Sequence, residues 1–185
     1  MLLRMTTLGR RSMSDYSVIH RAAYDGDIPR LVAVDYEYEQ VLHRLDEQVL
    51  VKELGHPRPY LVVMPLWFRG NLVQYAIPLR SSMPHSMPPS CCFRLGEYQE
   101  GWRFPGLQFS KMIPITGSVI HPYKILEGSP LSTEQETICR FYDLIATAAQ
   151  RYLDEYDISA GYWTRTDLDL LADAVSHRFE VGRAS

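Results

Sequence analysis

The sequence has few of the residues that carry metal or redox chemistry. Only three cysteines occur in 185 residues, Cys91, Cys92 and Cys139. None has the CxxC spacing of a metal site, and an adjacent pair cannot close an unstrained disulfide. No arrangement of His, Cys, Asp and Glu resembles a zinc motif. The composition therefore predicts reduced thiols and no metal or other cofactor.

Long apolar runs and phosphate loops are missing as well. No run approaches the roughly 20 apolar residues that a membrane helix requires, and residues 1–14 contain arginine but no continuous apolar segment. We therefore expect a soluble, cytoplasmic protein with no membrane partner. The absence of a Gly-rich phosphate loop or a nucleophile motif argues against a small-molecule enzyme. Residues 1–27 are interpreted as a flexible leader, and residues 28–180 as one domain.

Lysine is scarce, and the charge is unevenly distributed. Of the 19 basic residues 16 are arginine, whose planar guanidinium suits bidentate phosphate contacts, although genomic base composition also enriches arginine. Residues 58–124 carry seven basic side chains and two acidic ones, Glu97 and Glu100, which gives this segment a charge of +5. Because the net charge of the whole chain is −3, the remaining residues together carry −8. This asymmetry is compatible with a basic face for nucleic acid beside acidic helices.

The middle of the chain reads as β-structure. YLVVMPLWF and LVQYAIPL, joined by Arg69-Gly70-Asn71, predict a hairpin. Pro65 within the first run favours an edge position or a bulge. Shorter β-like pieces are LVAV at residues 31–34, CCFRL at 91–95 and GLQFSKMIPI at 106–115.

Helical periodicity flanks this β-rich region. Asp35 is positioned to cap a first helix, whose apolar stripe extends to Val49. Ser132 and Gln135 have the spacing of a capping box before a second apolar stripe. A further helix is expected to begin near Thr166. With 46% hydrophobic residues, the chain can build a single core. The predicted fold is α+β: one compact domain with a twisted antiparallel β-sheet core flanked by N- and C-terminal helices.

Four segments in order, PRPYLVVM, RGNLVQYAIPLRSSMPH, SCCFRL and GLQFSKMIPI, resemble the core of the ToxN/AbiQ-like endoribonuclease toxins of type III toxin-antitoxin systems. The resemblance runs from about residue 31 to 115. Arg58 stands where better-known members have a lysine before the first strand, Arg80-Ser81 stands where they have Thr-Ser, and Met83 stands where a lysine follows. His85 falls close to the family histidine. These departures resemble a divergent branch such as the CptN or TenpN types.

The resemblance implies sequence-selective, metal-independent cleavage of RNA by its 2′-hydroxyl, leaving 2′,3′-cyclic phosphate and 5′-hydroxyl ends. Such a reaction requires cations near the phosphorane and groups that move two protons. Arg58 and Arg80 are expected to stabilise charge, Ser81 and Ser82 to position the substrate, and His85 to transfer a proton, because imidazole titrates near neutral pH. Each of these residues also has a structural alternative. Arg58 could be a solvated loop cation, Ser81 and Ser82 could be turn residues that bond their own backbone, and His85 could be a surface imidazole.

Further RNA contacts are expected from Tyr60, Arg69, Arg94, Arg103 and Lys111. For Tyr60 the alternative is a place in the core, where an aromatic ring lies more often than in a base-stacking platform. The resemblance also implies an antitoxin RNA derived from repeats and folded as a pseudoknot, an RNA-bridged higher-order complex, cellular RNA as substrate, and a role in phage defence. The alternative function is a non-catalytic RNA- or DNA-binding module on the same fold.

Overall fold

The structure of the chain, a computed structural model, describes residues 13–53, 55–63, 65–97, 101, 103–157 and 165–181. The helices in this part of the chain are α1 (Met13–Ala23), α2 (Tyr36–Leu45), α3 (Pro130–Asp154) and α4 (Leu168–Val181). The strands are β1 (Tyr24–Asp25), β2 (Ile28–Pro29), β3 (Leu31–Val34), β4 (Pro59–Val62), β5 (Leu66–Phe68), β6 (Asn71–Val73), β7 (Tyr75–Pro84), β8 (Cys92–Arg94), β9 (Arg103–Gln108), β10 (Ile113–Pro114) and β11 (Ile120–Pro122).

The main sheet is antiparallel and has the strand order β11-β3-β4-β7-β9-β8, with β10 added to one end of β7. The strand pairs β1-β2 and β5-β6 form two small ribbons beside it. Strand β7 is the longest strand in the described residues and pairs with β4, β10 and β9 along its length. The main sheet is therefore organised around β7.

The predicted hairpin is confirmed. Its outgoing arm is β4 followed by β5, its returning arm is β6 followed by β7, and Phe68 pairs with Asn71 across the Arg69-Gly70 turn. Both turn residues have positive φ, 52° and 77°, as two-residue hairpin turns require. Pro65 lies in the break between β4 and β5, whereas β4 itself is central, between β3 and β7. The predicted edge position is therefore wrong for β4, and Pro65 instead marks the interruption.

Helices cover both faces of the sheet. Alternation along β4 directs Leu61 towards the core that contains α3, whereas Tyr60 and Val62 join the core that contains α1, α2 and α4. Because both faces are covered, all four residues of β4 are buried. The predicted α+β fold with flanking helices is confirmed. None of the helices in the described residues has the length and apolar content of a membrane span.

Two predicted helix starts differ in detail. The capping box from Ser132 to Gln135 is wrong, because α3 has Ser129 as its N-cap. Ser132 donates to the Ser129 carbonyl (2.7 Å) inside the first turn. Gln135 accepts from the Leu31 N–H (2.9 Å) and donates to the Pro29 carbonyl (2.6 Å), so its amide joins α3 to β2 and β3.

Helix α2 begins after Asp35 as predicted, but the Asp35 side chain does not cap it and instead bonds His121. The helix also ends at Leu45, earlier than the apolar stripe to Val49 suggested. Val49 lies in the loop after α2, and its side chain is buried in the same core as Leu42 of the helix. Its apolar character therefore continued the helical pattern although the helix had ended. That loop carries residues of the site described below.

The leader predicted over residues 1–27 is too long. Helix α1 packs Ile19 and Ala23 into the core, and Tyr24 of β1 is also buried. These residues belong to the domain because their apolar side chains cover one face of the sheet. Residues 1–12 lie outside the described part of the chain.

Candidate active site

A β-bulge in β7 lies at the centre of the site. Arg80 pairs with Gly106 of β9, but the next pair along the strands is Met83 with Phe104. Ser81 and Ser82 therefore oppose a single residue of β9. Such bulges reorient side chains and are frequent beside active sites. The sequence placed these residues at a strand end, and the structure corrects this: β7 continues to Pro84, because pairing with β9 resumes after the bulge.

Arg58 and Arg80 lie opposite each other on the sheet. Tyr60 pairs with Pro78, and extending the same antiparallel register by two residues brings Arg58 opposite Arg80. Both side chains are half-buried. Burial lowers the pKa of Arg80, and the charges of Arg58 and Arg103 lower it further. The Arg58 Nε is enclosed and has no hydrogen-bond partner among the described residues.

Lys111 is a further cation beside Arg80. It ends a short 3₁₀ turn, Phe109–Lys111, that follows β9, and its side chain is 7% exposed. The Nζ donates to Gln48 Oε1 at 2.6 Å, from the loop after α2. Burial lowers the pKa of Lys111 to about 8, opposed by Asp46 and assisted by the neighbouring Arg80. Lys111 is therefore an ammonium that can exchange its proton near neutral pH.

Two hydrogen bonds hold the bulge in place from the neighbouring strand. Arg103 Nε donates to Ser82 Oγ, and its Nη2 donates to the Ser82 carbonyl at 3.2 Å. Arg80 Nη1 donates to Gln108 Oε1 at 3.1 Å, and Gln108 Nε2 donates to Ser110 Oγ at 3.1 Å. Since Gln108 and Ser110 are buried, Arg80 is fixed by a rigid neutral acceptor.

The four cations form what we call the basic cluster: Arg58, Arg80, Arg103 and Lys111. Within the described residues, no carboxylate forms an ion pair with any member of this cluster. Unpaired cations at this density are unfavourable for folding, because like charges repel and buried charges lose hydration. A bound polyanion would supply the missing counter-charge.

The other predicted residues differ in how close they lie to the basic cluster. Ser81 is exposed in the bulge, and His85 is exposed in the turn after β7. A strand rises about 3.3 Å per residue, so the His85 backbone lies roughly 15 Å from that of Arg80. Arg94 is exposed, donates to the Gly96 carbonyl at 2.5 Å and lies 5.8 Å from the Phe104 ring centroid.

Two predicted RNA contacts need correction. Tyr60 is 1% exposed and donates its hydroxyl hydrogen to the buried Glu39 carboxylate at 2.7 Å, so its ring is unavailable for stacking on a base. Arg69, at the hairpin turn, bonds Asp157 at 2.7 Å and Asp169 at 2.9 Å. These two carboxylates already satisfy its guanidinium, so Arg69 ties the turn to the ends of α3 and α4.

Sequence reasoning missed Gln48 and Gln108. Gln108 is a buried polar residue that directly follows the apolar, buried part of β9, and that mismatch was a usable signal. Gln48 lies in a loop of mixed composition, 63 residues from Lys111, and no local pattern connects the two.

Sequence comparison finds no matching family and no matching curated protein. Three solved structures have similar folds. A toxin of a bacterial type III toxin-antitoxin system, described as selectively inhibited by a non-coding RNA pseudoknot, has 20% identity and a TM-score of 0.65 over 83% of this chain and 99% of its own. AbiQ, a lactococcal anti-phage endoribonuclease of a type III system, has 18% identity and a TM-score of 0.67 over 82% of this chain and 98% of its own.

The third structure belongs to a bacterial antiviral system regulated by a processed non-coding RNA. It has 18% identity and a TM-score of 0.59 over 78% of this chain and 95% of its own. The three neighbours are thus matched over nearly their whole lengths. The chain therefore has the ToxN/AbiQ-like fold of type III toxin-antitoxin toxins, as the resemblance in sequence indicated.

Proposed function

We propose that this protein is an endoribonuclease toxin of a type III toxin-antitoxin system that acts without a metal ion. The observation that carries the proposal is the basic cluster, whose four cations form no ion pair with a carboxylate of the described residues. It includes Arg80, directly before the bulge that bears two serines, and Arg103, which bonds the second of them. Its fold, which it shares with AbiQ, a protein described as an endoribonuclease, supports this assignment.

The proposed reaction is an internal transfer within RNA. The 2′-oxygen forms a bond to phosphorus, the bond from phosphorus to the 5′-oxygen breaks, and the products carry a 2′,3′-cyclic phosphate and a 5′-hydroxyl. One group accepts the 2′-hydroxyl proton and another protonates the leaving oxygen. The phosphorane carries extra negative charge, which positioned cations stabilise more strongly than they stabilise the substrate.

Arg58 and Arg80 stabilise the phosphorane in this proposal, because they lie together on the sheet face beside Lys111. Ser81 provides an exposed hydroxyl for a substrate hydrogen bond. Ser82 contacts RNA less directly, because Arg103 already holds it. Arg103 and Arg94 extend the positive surface along the neighbouring strands for adjacent phosphates.

Lys111 and His85 are the proposed proton carriers. Lys111 lies beside Arg80 and has a pKa of about 8, so a neutral fraction of roughly a tenth exists at pH 7. His85 lies in the turn after β7 and would serve the opposite side of the scissile bond. Both assignments are tested separately below.

The proposed partner is an antitoxin RNA built from repeats and folded as a pseudoknot. Two structural neighbours are described as regulated by non-coding RNA, one of them by a pseudoknot. The basic cluster would bind this RNA by the same phosphate contacts that bind substrate, so inhibition would be competitive. RNA would also bridge protein subunits into a higher-order complex.

Growth assays test the assignment. Induction of the protein in a host without the antitoxin RNA should arrest growth, and the Arg80→Gln variant should not. A wild-type protein that folds and accumulates normally and binds RNA, yet leaves growth unaffected, would be a non-catalytic nucleic-acid-binding module. Arg140→Gln on α3 is the control, because it removes an exposed arginine outside the basic cluster.

A further inference from the structure

Two glutamines hold two members of the basic cluster. Gln48 Oε1 accepts from Lys111 Nζ at 2.6 Å, and Gln108 Oε1 accepts from Arg80 Nη1 at 3.1 Å. The two glutamines come from different parts of the chain, the loop after α2 and the end of β9. In both cases the acceptor is an amide oxygen where a carboxylate is the more usual partner of a cation.

An amide at these positions has a specific electrostatic consequence. A carboxylate would fix the cation equally well but would neutralise it and lower the affinity of the cluster for phosphate. An amide oxygen fixes the direction of the N–H bonds and leaves the positive charge available to a ligand. Neutral acceptors are therefore the arrangement that preserves both geometry and charge.

Asp46, the carboxylate whose charge raises the pKa of Lys111, bonds other groups. Asp46 Oδ1 accepts from the Gln48 N–H at 2.9 Å, and Asp46 Oδ2 accepts from the Asp167 N–H at 2.7 Å. Both oxygens are therefore occupied by backbone donors. Asp46 thereby fixes the loop that carries Gln48 and joins it to the start of α4 without pairing with Lys111.

We propose that Gln48 and Gln108 are positioning residues for RNA cleavage, which hold Lys111 and Arg80 in place as unneutralised cations. This inference rests on the proposed function. Gln48 acts through Lys111 and Gln108 acts through Arg80; neither is required to touch the RNA. The charged groups that face Lys111 are Asp46 from the loop after α2 and Arg80 from β7, with Asp167 before α4 beyond Asp46.

Direct titration of the lysine tests the role of Gln48. The chain has three lysines, Lys52, Lys111 and Lys124, so their side-chain ¹³Cε resonances are few, and a Lys111→Met variant assigns the one of interest. Gln48→Glu should raise the titration midpoint of Lys111 by about one unit or more, because it adds a charged partner at hydrogen-bond distance. Gln48→Met, similar in volume, should lower it. Gln40→Glu on α2 adds the same charge elsewhere and should leave it unchanged.

Cleavage assays then connect this titration to the reaction. The pH–rate profile of Gln48→Glu should move in the same direction and by the same amount as the Lys111 midpoint. A merely structural Gln48 would change the rate at every pH without moving the profile. For Gln108→Glu, RNA binding should weaken and the slope of log affinity against log salt should become smaller by about one, since Arg80 then carries an internal counter-ion.

The outcomes separate the two proposals. If wild-type protein cleaves RNA but Gln48→Glu leaves both the Lys111 midpoint and the pH profile unchanged, the positioning inference is wrong and the proposed function stands. The inference is also wrong if the midpoint moves and the profile does not. Absence of cleavage by the folded wild-type protein overturns the proposed function together with this inference.

Discussion

Arg58, directly before β4, lies opposite Arg80 of β7 when the register of the two strands is extended by two residues, so two like charges stand at the same level of the sheet. Like charges in directly opposed positions destabilise a sheet, by an amount of order 1 kcal/mol. Both are half-buried, and within the described residues neither forms an ion pair with a carboxylate, although Arg58 lies within electrostatic reach of the buried Glu39. A polyanion that binds across both guanidinium groups would offset this repulsion, which favours a functional reason for the pair.

The first prediction concerns this arginine pair. Arg80→Gln should abolish RNA cleavage and growth inhibition without lowering the free energy of unfolding, because it removes a repulsion along with a hydrogen bond to Gln108. Thermal melting and cleavage by the same preparation provide the comparison. A fully toxic Arg80→Gln protein would exclude Arg80 from the reaction.

The second prediction distinguishes the two serines of the bulge. Ser81→Ala should abolish growth inhibition while the melting temperature stays near that of the wild type, since Ser81 is exposed in the bulge. Ser82→Ala should lower the melting temperature by a few degrees as well, because its Oγ accepts from Arg103. Equal effects of the two substitutions on both properties would show that the bulge acts as one structural unit.

The third prediction concerns where RNA lies. Phosphate binding releases counterions, so Arg103→Gln should weaken RNA binding and reduce its dependence on salt by about one phosphate contact. Arg140→Gln on α3 and Arg69→Gln at the hairpin turn should change neither quantity appreciably, because Arg69 already pairs with two carboxylates. Filter binding at several salt concentrations measures all three variants. Charge reversal at Glu134 or Asp143 that weakens binding as much as loss of Arg58 would contradict this map.

The fourth prediction concerns stability against pH. The folded-state pKa of Lys111, about 8, lies below its ordinary value of about 10.4. The unfolded chain therefore binds more protons between these values, and stability rises with pH across that window. Lys111→Met should be more stable than wild type at pH 7, and the difference should shrink as pH rises from about 8 to about 10.4. Chemical denaturation across this range measures it; a difference that is constant with pH would exclude the depressed pKa.

How much of this arrangement the sequence contains depends on how local each feature is. The β5-β6 turn and helix α4 were predictable because their signals, Arg69-Gly70-Asn71 and the stripe after Thr166, are contiguous. Arg58, Arg80 and Ser81 were predicted as site residues from their order along the chain. In contrast, Arg69 meets Asp157 and Asp169 across 88 and 100 residues, and no local pattern encodes those contacts.

Burial was the other source of error. Tyr60 and Lys111 were both predicted to contact RNA. The structure buries both side chains: Tyr60 packs under α2 and donates to Glu39, whereas the Lys111 ammonium lies beside Arg80 and donates to Gln48. The bulge at Ser81 also has no signature of its own, because it arises from the shift in pairing between β7 and β9.

The fifth prediction separates the two proton carriers. His85→Gln should slow cleavage while RNA binding is retained, because binding depends on the basic cluster. Lys111→Arg should keep the charge and lose the proton exchange near neutral pH, since a guanidinium does not titrate there. Single-turnover rates and binding constants for both variants decide the assignment. A wild-type rate for His85→Gln would assign His85 to the turn and leave Lys111 as the carrier.

The most direct measurement of the central claim is the chemistry of the RNA ends left by the purified protein in EDTA. The account predicts cleavage in the chelator, with 2′,3′-cyclic phosphate and 5′-hydroxyl ends, and no cleavage by an equally folded Arg80→Gln protein. Complete loss of activity in EDTA that a divalent ion restores, or products with 5′-phosphate ends, would contradict it.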